Sequence, residues 1–172
     1  MEYFVIYDLA TGDLLMRGSG PPGTAAQQIL EETQGIILVP REALNTSEIN
    51  MDAVRASLLE QIDAAAEDIR SRFITLGSGQ ALTYQRKESE ARAWTPETDP
   101  AEVPFLAAEA AALGVSLSEV VTTVIEAADF WAVVGAAIEA VRLRAKRAVA
   151  DAGGFHELAA AVLVDWTEVV PS

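Results

Sequence analysis

The chain has 172 residues, enough for one ordinary domain, and its formal net charge of −14 argues against nucleic acid as a ligand, because phosphate contacts need clustered Lys and Arg. It contains no cysteine and one histidine, His156, so we expect neither a disulfide nor a metal site, and no cofactor. No segment approaches the roughly 20 uninterrupted apolar residues of a membrane span, and the N-terminus lacks the basic region of a signal peptide. We therefore expect a protein made in a cytoplasm, without membrane insertion.

The first 48 residues have the pattern of a small α+β unit. Residues 3–9 are aromatic and β-branched, which is typical of a strand, and a turn at Gly12 allows the following LLMRG segment to return antiparallel. Residues 24–33 then predict about two helical turns, with Thr24 as a possible N-cap, and residues 36–40 predict a third strand. Such a small unit needs to pack against another part of the molecule.

From Asn50 onward, apolar residues recur at spacings of three and four, which indicates helices packed by one apolar side. The clearest start signal is Ser116 followed three residues later by Glu119, the pattern of a capping box. The predicted fold class is α+β, mainly α. A small N-terminal unit containing a β-hairpin (residues 1–48) precedes a helical hairpin or bundle with one long helix (residues 49–172). The predicted helices cover about residues 51–75, 80–94, 105–113, 117–152 and 155–165.

The patterns that could carry chemistry do not predict an active site. Gly77-Ser78-Gly79 resembles part of a phosphate loop, but no Lys-Ser/Thr follows it, so we interpret it as the turn between two helices. The abundant carboxylates fall mainly on solvated helix positions, and no spacing places His156 in a Ser-His-Asp arrangement. We therefore expect no catalytic residues, and a protein that is not an enzyme.

Three groups of residues are candidate interface positions. The first is an aliphatic stripe, and the second is the tryptophans, because large aromatics dominate binding hot spots; Trp131 also fits a core position. The third is a cationic cluster late in the long helix, which either complements the negative C-terminal end of that helix or docks on an acidic neighbour, including another copy of the chain. The candidates are Leu58, Ile62 and Ile69; Trp94, Trp131 and Trp166; and Arg142, Arg144, Lys146 and Arg147.

Residues 50–152 contain an ordered set of short motifs. An Arg-Phe, an aliphatic-Thr, a Gly-Gln, a Tyr, a Lys and a Glu-Ala occur at set offsets, followed by an acidic proline-containing linker, an LAAEA helix and a Trp-containing helix. The motif positions are Arg72, Phe73, Ile74, Thr75, Gly79, Gln80, Tyr84, Lys87, Glu90 and Ala91. This ordered set resembles a family of tailed-bacteriophage tail fibre or tail-tip-associated proteins. The N-terminal segment VIYDLATGDLLMRGSGPPG also looks like the small hairpin that opens such proteins.

The resemblance implies a structural role in the virion tail, with no catalytic residues to carry over. The chain lacks an extended β-repeat after Trp166, which favours an adaptor that joins other tail proteins (tip, hub or fibre) over a receptor-binding fibre. The alternative is a tail-fibre assembly chaperone that is absent from the mature virion. Alanine-rich stripes bury little area per helix, so we also expect a homo-oligomer, with a trimer favoured by the symmetry of a tail tip.

Overall fold

In the computed structural model of the chain, residues 1–75 and 77–169 are described, apart from the Ser78 side chain. The described residues form three strands and five α-helices, which confirms the predicted α+β, mainly α class. The strands are β1 (Glu2–Asp8), β2 (Leu14–Gly20) and β3 (Gln34–Leu38). The helices are α1 (Met51–Ser71), α2 (Ser78–Ala93), α3 (Pro104–Leu113), α4 (Leu117–Asp151) and α5 (Phe155–Val162).

The strands make one antiparallel sheet in the order β2-β1-β3. Side chains alternate across β1, so that Val5 and Tyr7 face one side while Phe4 and Ile6 face the other. The ring of Phe4 lies over Gly18 of β2, where an added Cβ would come within 2.2 Å of the ring. Glycine is therefore required at this position by close packing.

The predicted helix at residues 24–33 is a short 3-10 turn, Ala25–Gln27. Thr24 does not cap it; its hydroxyl donates to the carbonyl of Pro21 at 2.6 Å. Ala25 packs beneath the sheet, whereas Ile29 is almost fully exposed. A segment with so little apolar surface to bury does not offset the free-energy cost of nucleating an α-helix.

The described chain divides into two compact units. Unit 1 comprises Met1–Asp68 and Ile138–Val169, and unit 2 contains Ile69–Ala137. In unit 1 the inner face of the sheet packs on helices α1, α4 and α5, and the rings of Tyr7 and Phe155 lie 6.0 Å apart. The core residues of unit 1 include Val5, Tyr7, Leu58, Ile62, Val149, Phe155 and Leu158.

Unit 2 is built from α2, α3 and the first part of α4, around the buried residues Ala91, Leu106 and Val120. Gly114 ends α3 in a left-handed conformation with φ of 68°. The predicted capping box of α4 is present, since the Glu119 carboxylate accepts from the Ser116 backbone N–H at 2.8 Å and Ser116 Oγ accepts from the Glu119 N–H at 3.2 Å. These two stop and start signals separate α3 from α4.

Helix α1 ends at Ser71, before the predicted end at residue 75, and α2 begins at Ser78. Gly77, at the predicted turn, has a φ of 138°, which glycine adopts without strain. Asn50 caps α1, because its side-chain oxygen accepts from the Ala53 N–H at 3.1 Å. Leu76 lies outside the described residues.

Candidate interaction surfaces

The aliphatic stripe of α1 lies inside the chain. Leu58 is 1% exposed, Ile62 2% and Ile69 8%. Leu58 and Ile62 contribute to the core of unit 1, beside Val149 of α4. In this arrangement these side chains stabilise the single chain, and a partner would reach Leu58 or Ile62 only by displacing that core. A role for the stripe in an interface stays a prediction.

The cationic cluster of α4 divides into two pairs with different surroundings. Arg142 and Lys146 point toward Asp63 of α1, at 2.5 Å and 2.8 Å respectively, and Arg142 also binds Glu139 at 2.7 Å. Hydrogen bonds from Lys146 and then Arg142 lower the pKa of the Asp63 carboxyl, and the bonds to Glu139 and Asp63 raise the pKa of Arg142. These two cations join α4 to α1 within unit 1.

Arg144 and Arg147 form the outward pair, with side chains 66% and 80% exposed. Arg144 binds Glu168 at 2.9 Å, and Arg147 binds Asp151 at 2.9 Å, one turn further along α4. The hydrogen bond to Asp151 raises the pKa of Arg147. Ion pairs this exposed contribute little to stability, so both guanidinium groups can exchange partners at small cost.

The three tryptophans occupy half-buried positions. Trp131 packs along its own helix against Gly135, where an added Cβ would lie 3.1 Å from the indole. Trp94 packs on the core of unit 2, and its buried Nε1 has no hydrogen-bond partner among the described residues. Trp166 lines a small cavity of about 210 Å³ together with Ile62 and Val164.

His156 lies beside the hairpin turn of unit 1, and an added Cβ at Gly12 would come within 2.8 Å of its Nδ1. That nitrogen is buried without a hydrogen-bond partner in the described structure, and Nε2 is 3.8 Å from Glu157. Within the described ranges no group of three or more His, Cys, Asp or Glu side chains has the arrangement of a metal site. The geometry places His156 in a packing position between α5 and the turn.

Glu90 of α2 is a buried carboxylate that the sequence patterns did not single out as a cap. It is 4% exposed and accepts hydrogen bonds from the backbone N–H groups of Phe105 at 3.0 Å and Leu106 at 3.2 Å, with Arg86 at 3.1 Å on its other oxygen. The first N–H groups of a helix have no partner within that helix. Glu90 supplies that partner for α3 and so joins α2 to α3 in unit 2.

The outer face of α4 is not among the candidate positions predicted from the sequence, because apolar spacing indicated only that each helix packs by one side. Seven exposed residues alternate at spacings of three and four along it, and we call this set the outer seam. The residues are Glu126, Asp129, Val133, Ala136, Ala140, Leu143 and Arg147. The same periodicity rule, applied to the other side of the helix, would have found them.

Within the described part of the chain, α4 is the one helix long and apolar enough to cross a membrane, with a mean hydropathy of 1.6 over its most apolar 18 residues. Of that stretch, 17% is buried inside the chain. A core helix of a soluble protein also meets this criterion of length and composition, so the criterion alone assigns no membrane role. The criterion does identify α4 as a long apolar helix of which only a small share is buried inside the chain.

A groove of about 500 Å³ lies in unit 2 between the end of α3 and the start of α4. Its walls include the apolar residues Leu113, Val115 and Val124 and the acidic residue Glu109.

Comparisons of the chain with protein-family models, with curated proteins and with solved structures find no match.

Proposed function

We propose that the chain is a non-enzymatic structural component of a bacteriophage virion tail, a tail-fibre or tail-tip-associated adaptor that joins other tail proteins. It would be made in the host cytoplasm and act in the virion. The proposal rests on the ordered motifs across residues 50–152 and on what the motif side chains do in unit 2. These contacts of the motif side chains are the observation that favours a structural role over an enzymatic one.

Several motif residues make contacts that hold helices together. Lys87 forms an ion pair with Glu109 of α3 at 2.7 Å, and Glu90 caps α3 as described above. Ala91 is 2% exposed in the core of unit 2, and the ring of Phe73 lies 6.1 Å from that of Phe130. A motif whose members join helices supports a role in which shape and contact surfaces matter.

The expected partners are proteins of the tail tip, hub or fibre and further copies of the chain. A tail has threefold or sixfold symmetry, so a trimer is the homo-oligomer that matches such neighbours. Exposed apolar side chains such as Phe105 and Phe130 offer contact area for these partners.

Mass spectrometry of purified phage particles tests the proposal. A structural component is expected in particles that have been purified by density gradient, at a fixed ratio to the major tail protein. An assembly chaperone would be found with fibre proteins in infected-cell lysate and be absent from the particles. Absence from both the particles and the fibre complexes would overturn both tail roles.

A further inference from the structure

The outer seam of α4 is charged at both ends and apolar in the middle. Glu126 and Asp129 lie at one end, Arg147 lies at the other with Arg144 beside the seam, and apolar residues fill the centre. Helix α4 is uninterrupted from Leu117 to Asp151, so the seam runs along one side of it for about 32 Å at 1.5 Å per residue. Alternating spacings of three and four are the pattern by which one helix packs against another.

The arrangement of charges is symmetric about the midpoint between Ala136 and Ala137. Glu126 and Arg147 are equally far from that point, and so are Asp129 and Arg144, with opposite charges in each case. We propose that two copies of this chain pair through the outer seam, with the two α4 helices antiparallel about a twofold axis at this midpoint.

In such a pair, each of these four charges of one copy lies opposite its complement on the other. Glu126 meets Arg147 of the partner subunit, and Asp129 meets Arg144 of the partner subunit, each contact occurring twice by symmetry. The charges at the ends of the seam then specify the antiparallel register.

The apolar residues are also matched. Phe130, 48% exposed, faces Leu143 of the partner subunit, and Leu143 is 53% exposed. Val133, 64% exposed, faces Ala140 of the partner subunit. The alanines at the centre allow the two helix backbones to approach closely, and burial of these side chains provides the driving force.

The charges of the outer seam favour an antiparallel second copy over two alternatives, a parallel bundle of copies and a lipid bilayer. Parallel helices, as in a threefold bundle around this seam, would bring Glu126 beside Glu126 and Arg147 beside Arg147, which is repulsive. Insertion into lipid would place Glu126 and Asp129 in the apolar interior, which is costly for charged groups. In a twofold pair, the acidic end and the basic end of the seam each lie opposite residues of the complementary charge.

Formation of the pair disturbs only weak ion pairs within the single chain. Asp129 binds Arg92 at 2.7 Å, Arg144 binds Glu168 and Arg147 binds Asp151, and all these side chains are 47% or more exposed. Exposed ion pairs contribute little, so these carboxylates and guanidinium groups can turn to a partner or be shared with it. The inference does not depend on the tail role, and it differs from the trimer considered above.

The first test is the mass of the full chain in solution by light scattering or analytical ultracentrifugation at micromolar concentration. We expect a dimer, and Val133→Asp should convert it to a monomer with an unchanged circular dichroism spectrum. Leu113→Asp is the matched control, since Leu113 is 65% exposed on α3 and should leave the dimer intact. A monomer or a trimer of the unmutated chain would overturn the twofold pair.

The second test is a charge exchange, which also covers the case in which Val133→Asp fails to fold. Glu126→Arg alone and Arg147→Glu alone should each weaken dimerisation on the order of 100-fold, because each places like charges at two symmetric contacts. Mixing the two variants should restore pairing, since the arginine introduced at position 126 of one copy then meets the glutamate introduced at position 147 of the other. The double variant should pair with itself. Failure of both restorations would refute the antiparallel register.

The third test measures binding of the chain to phosphatidylcholine–phosphatidylglycerol vesicles. A dimer in solution should show no vesicle binding that depends on Val133. A chain that stays monomeric, binds these vesicles and loses binding on Val133→Asp would assign the outer seam to lipid and contradict the pair. Such a result would leave the mass-spectrometric test of the tail role unaffected.

Discussion

At the scale of single residues, Asp63 is the polar link between α1 and α4 in unit 1. Its carboxylate receives Arg142 and Lys146 at 2.5 Å and 2.8 Å, while its own side chain is 46% exposed. Two cations on one carboxylate form a small network, which is more favourable than an isolated surface pair but still screened by water and salt. The link therefore aligns the two helices more than it stabilises them.

Asp63→Asn is expected to destabilise the chain by less than about 1 kcal/mol at neutral pH, because the pair is solvent-exposed. The two cations lower the pKa of Asp63 in the folded state, so its contribution is present above the unfolded pKa of about 3.9 and is lost as pH falls through the folded pKa. Thermal unfolding at several pH values between neutral and strongly acidic measures this. The difference between the two proteins should shrink in acid. A difference that stays constant at every pH would contradict this account.

At the scale of elements, α3 depends on a cap that comes from another helix. It begins with Pro104, and the preceding residue, Val103, has no side-chain acceptor for the first N–H groups. Glu90 accepts from Phe105 and Leu106 instead, and its negative charge is favourable at the positive N-terminal end of the helix dipole. The start of α3 is thus determined by a residue of α2.

Glu90→Ala is expected to cost about 1–3 kcal/mol, because it leaves one buried and one partly buried N–H group, those of Leu106 and Phe105, without their acceptor. Thermal unfolding gives the loss of stability, and hydrogen exchange should show faster exchange at the amides of Phe105 and Leu106. Glu88→Ala is the matched control on the same helix, since the Glu88 side chain is 40% exposed and pairs with Arg92 one turn away. Equal losses in the two variants would argue against a capping role.

Local signals in the sequence predicted the local features of the fold. The capping box at Ser116 and the N-terminal hairpin depend on residues within a few positions of one another, and both are present. The cap at Glu90 joins residues 15 positions apart in different helices, so no local pattern encodes it. The segment around Ala25 has too little apolar surface to bury for an α-helix, and it forms a 3-10 turn instead.

For the candidate surfaces, periodicity identified residues that pack but not what they pack against. Leu58 and Val149 follow the spacing of a helix–helix contact, and that contact lies within the chain. On α4 the buried side and the exposed side both have this spacing, so spacing alone does not tell them apart. Exposure separates the two sides, and exposure is a property of the folded chain.

At the scale of the whole molecule, unit 1 brings together segments that are distant in sequence. The inner face of β1, through Val5 and Tyr7, packs on residues late in the chain that include Val149, Phe155 and Leu158. The sheet has three strands and needs such a cover, because so small a sheet is marginal alone. Helix α5 is therefore part of the structural support of the N-terminal strands.

Leu158→Ala is expected to destabilise unit 1 by about 2–5 kcal/mol, since Leu158 is fully buried and its truncation leaves a cavity. Amide exchange should accelerate at Val5 and Ile6, more than 150 positions away in the sequence, as the cover of the sheet loosens. Leu163→Ala, at a position that is 83% exposed, should leave both stability and exchange nearly unchanged. Unaltered protection of β1 in the Leu158→Ala protein would show that the sheet is stable without α5.

The dependence of β1 on α5 also has a consequence in time. A ribosome adds roughly 5–20 residues per second, so the apolar face of β1 emerges on the order of ten seconds before the residues of α5 that will cover it. The Ile69–Ala137 segment of unit 2 is contiguous and is translated within that interval, which allows its helices to assemble first. The N-terminal strands meanwhile present unpaired edges and an uncovered apolar face, the combination that promotes misassociation between nascent chains. Slow stretches of codons before residue 138 would lengthen this exposure, and fast ones would shorten it.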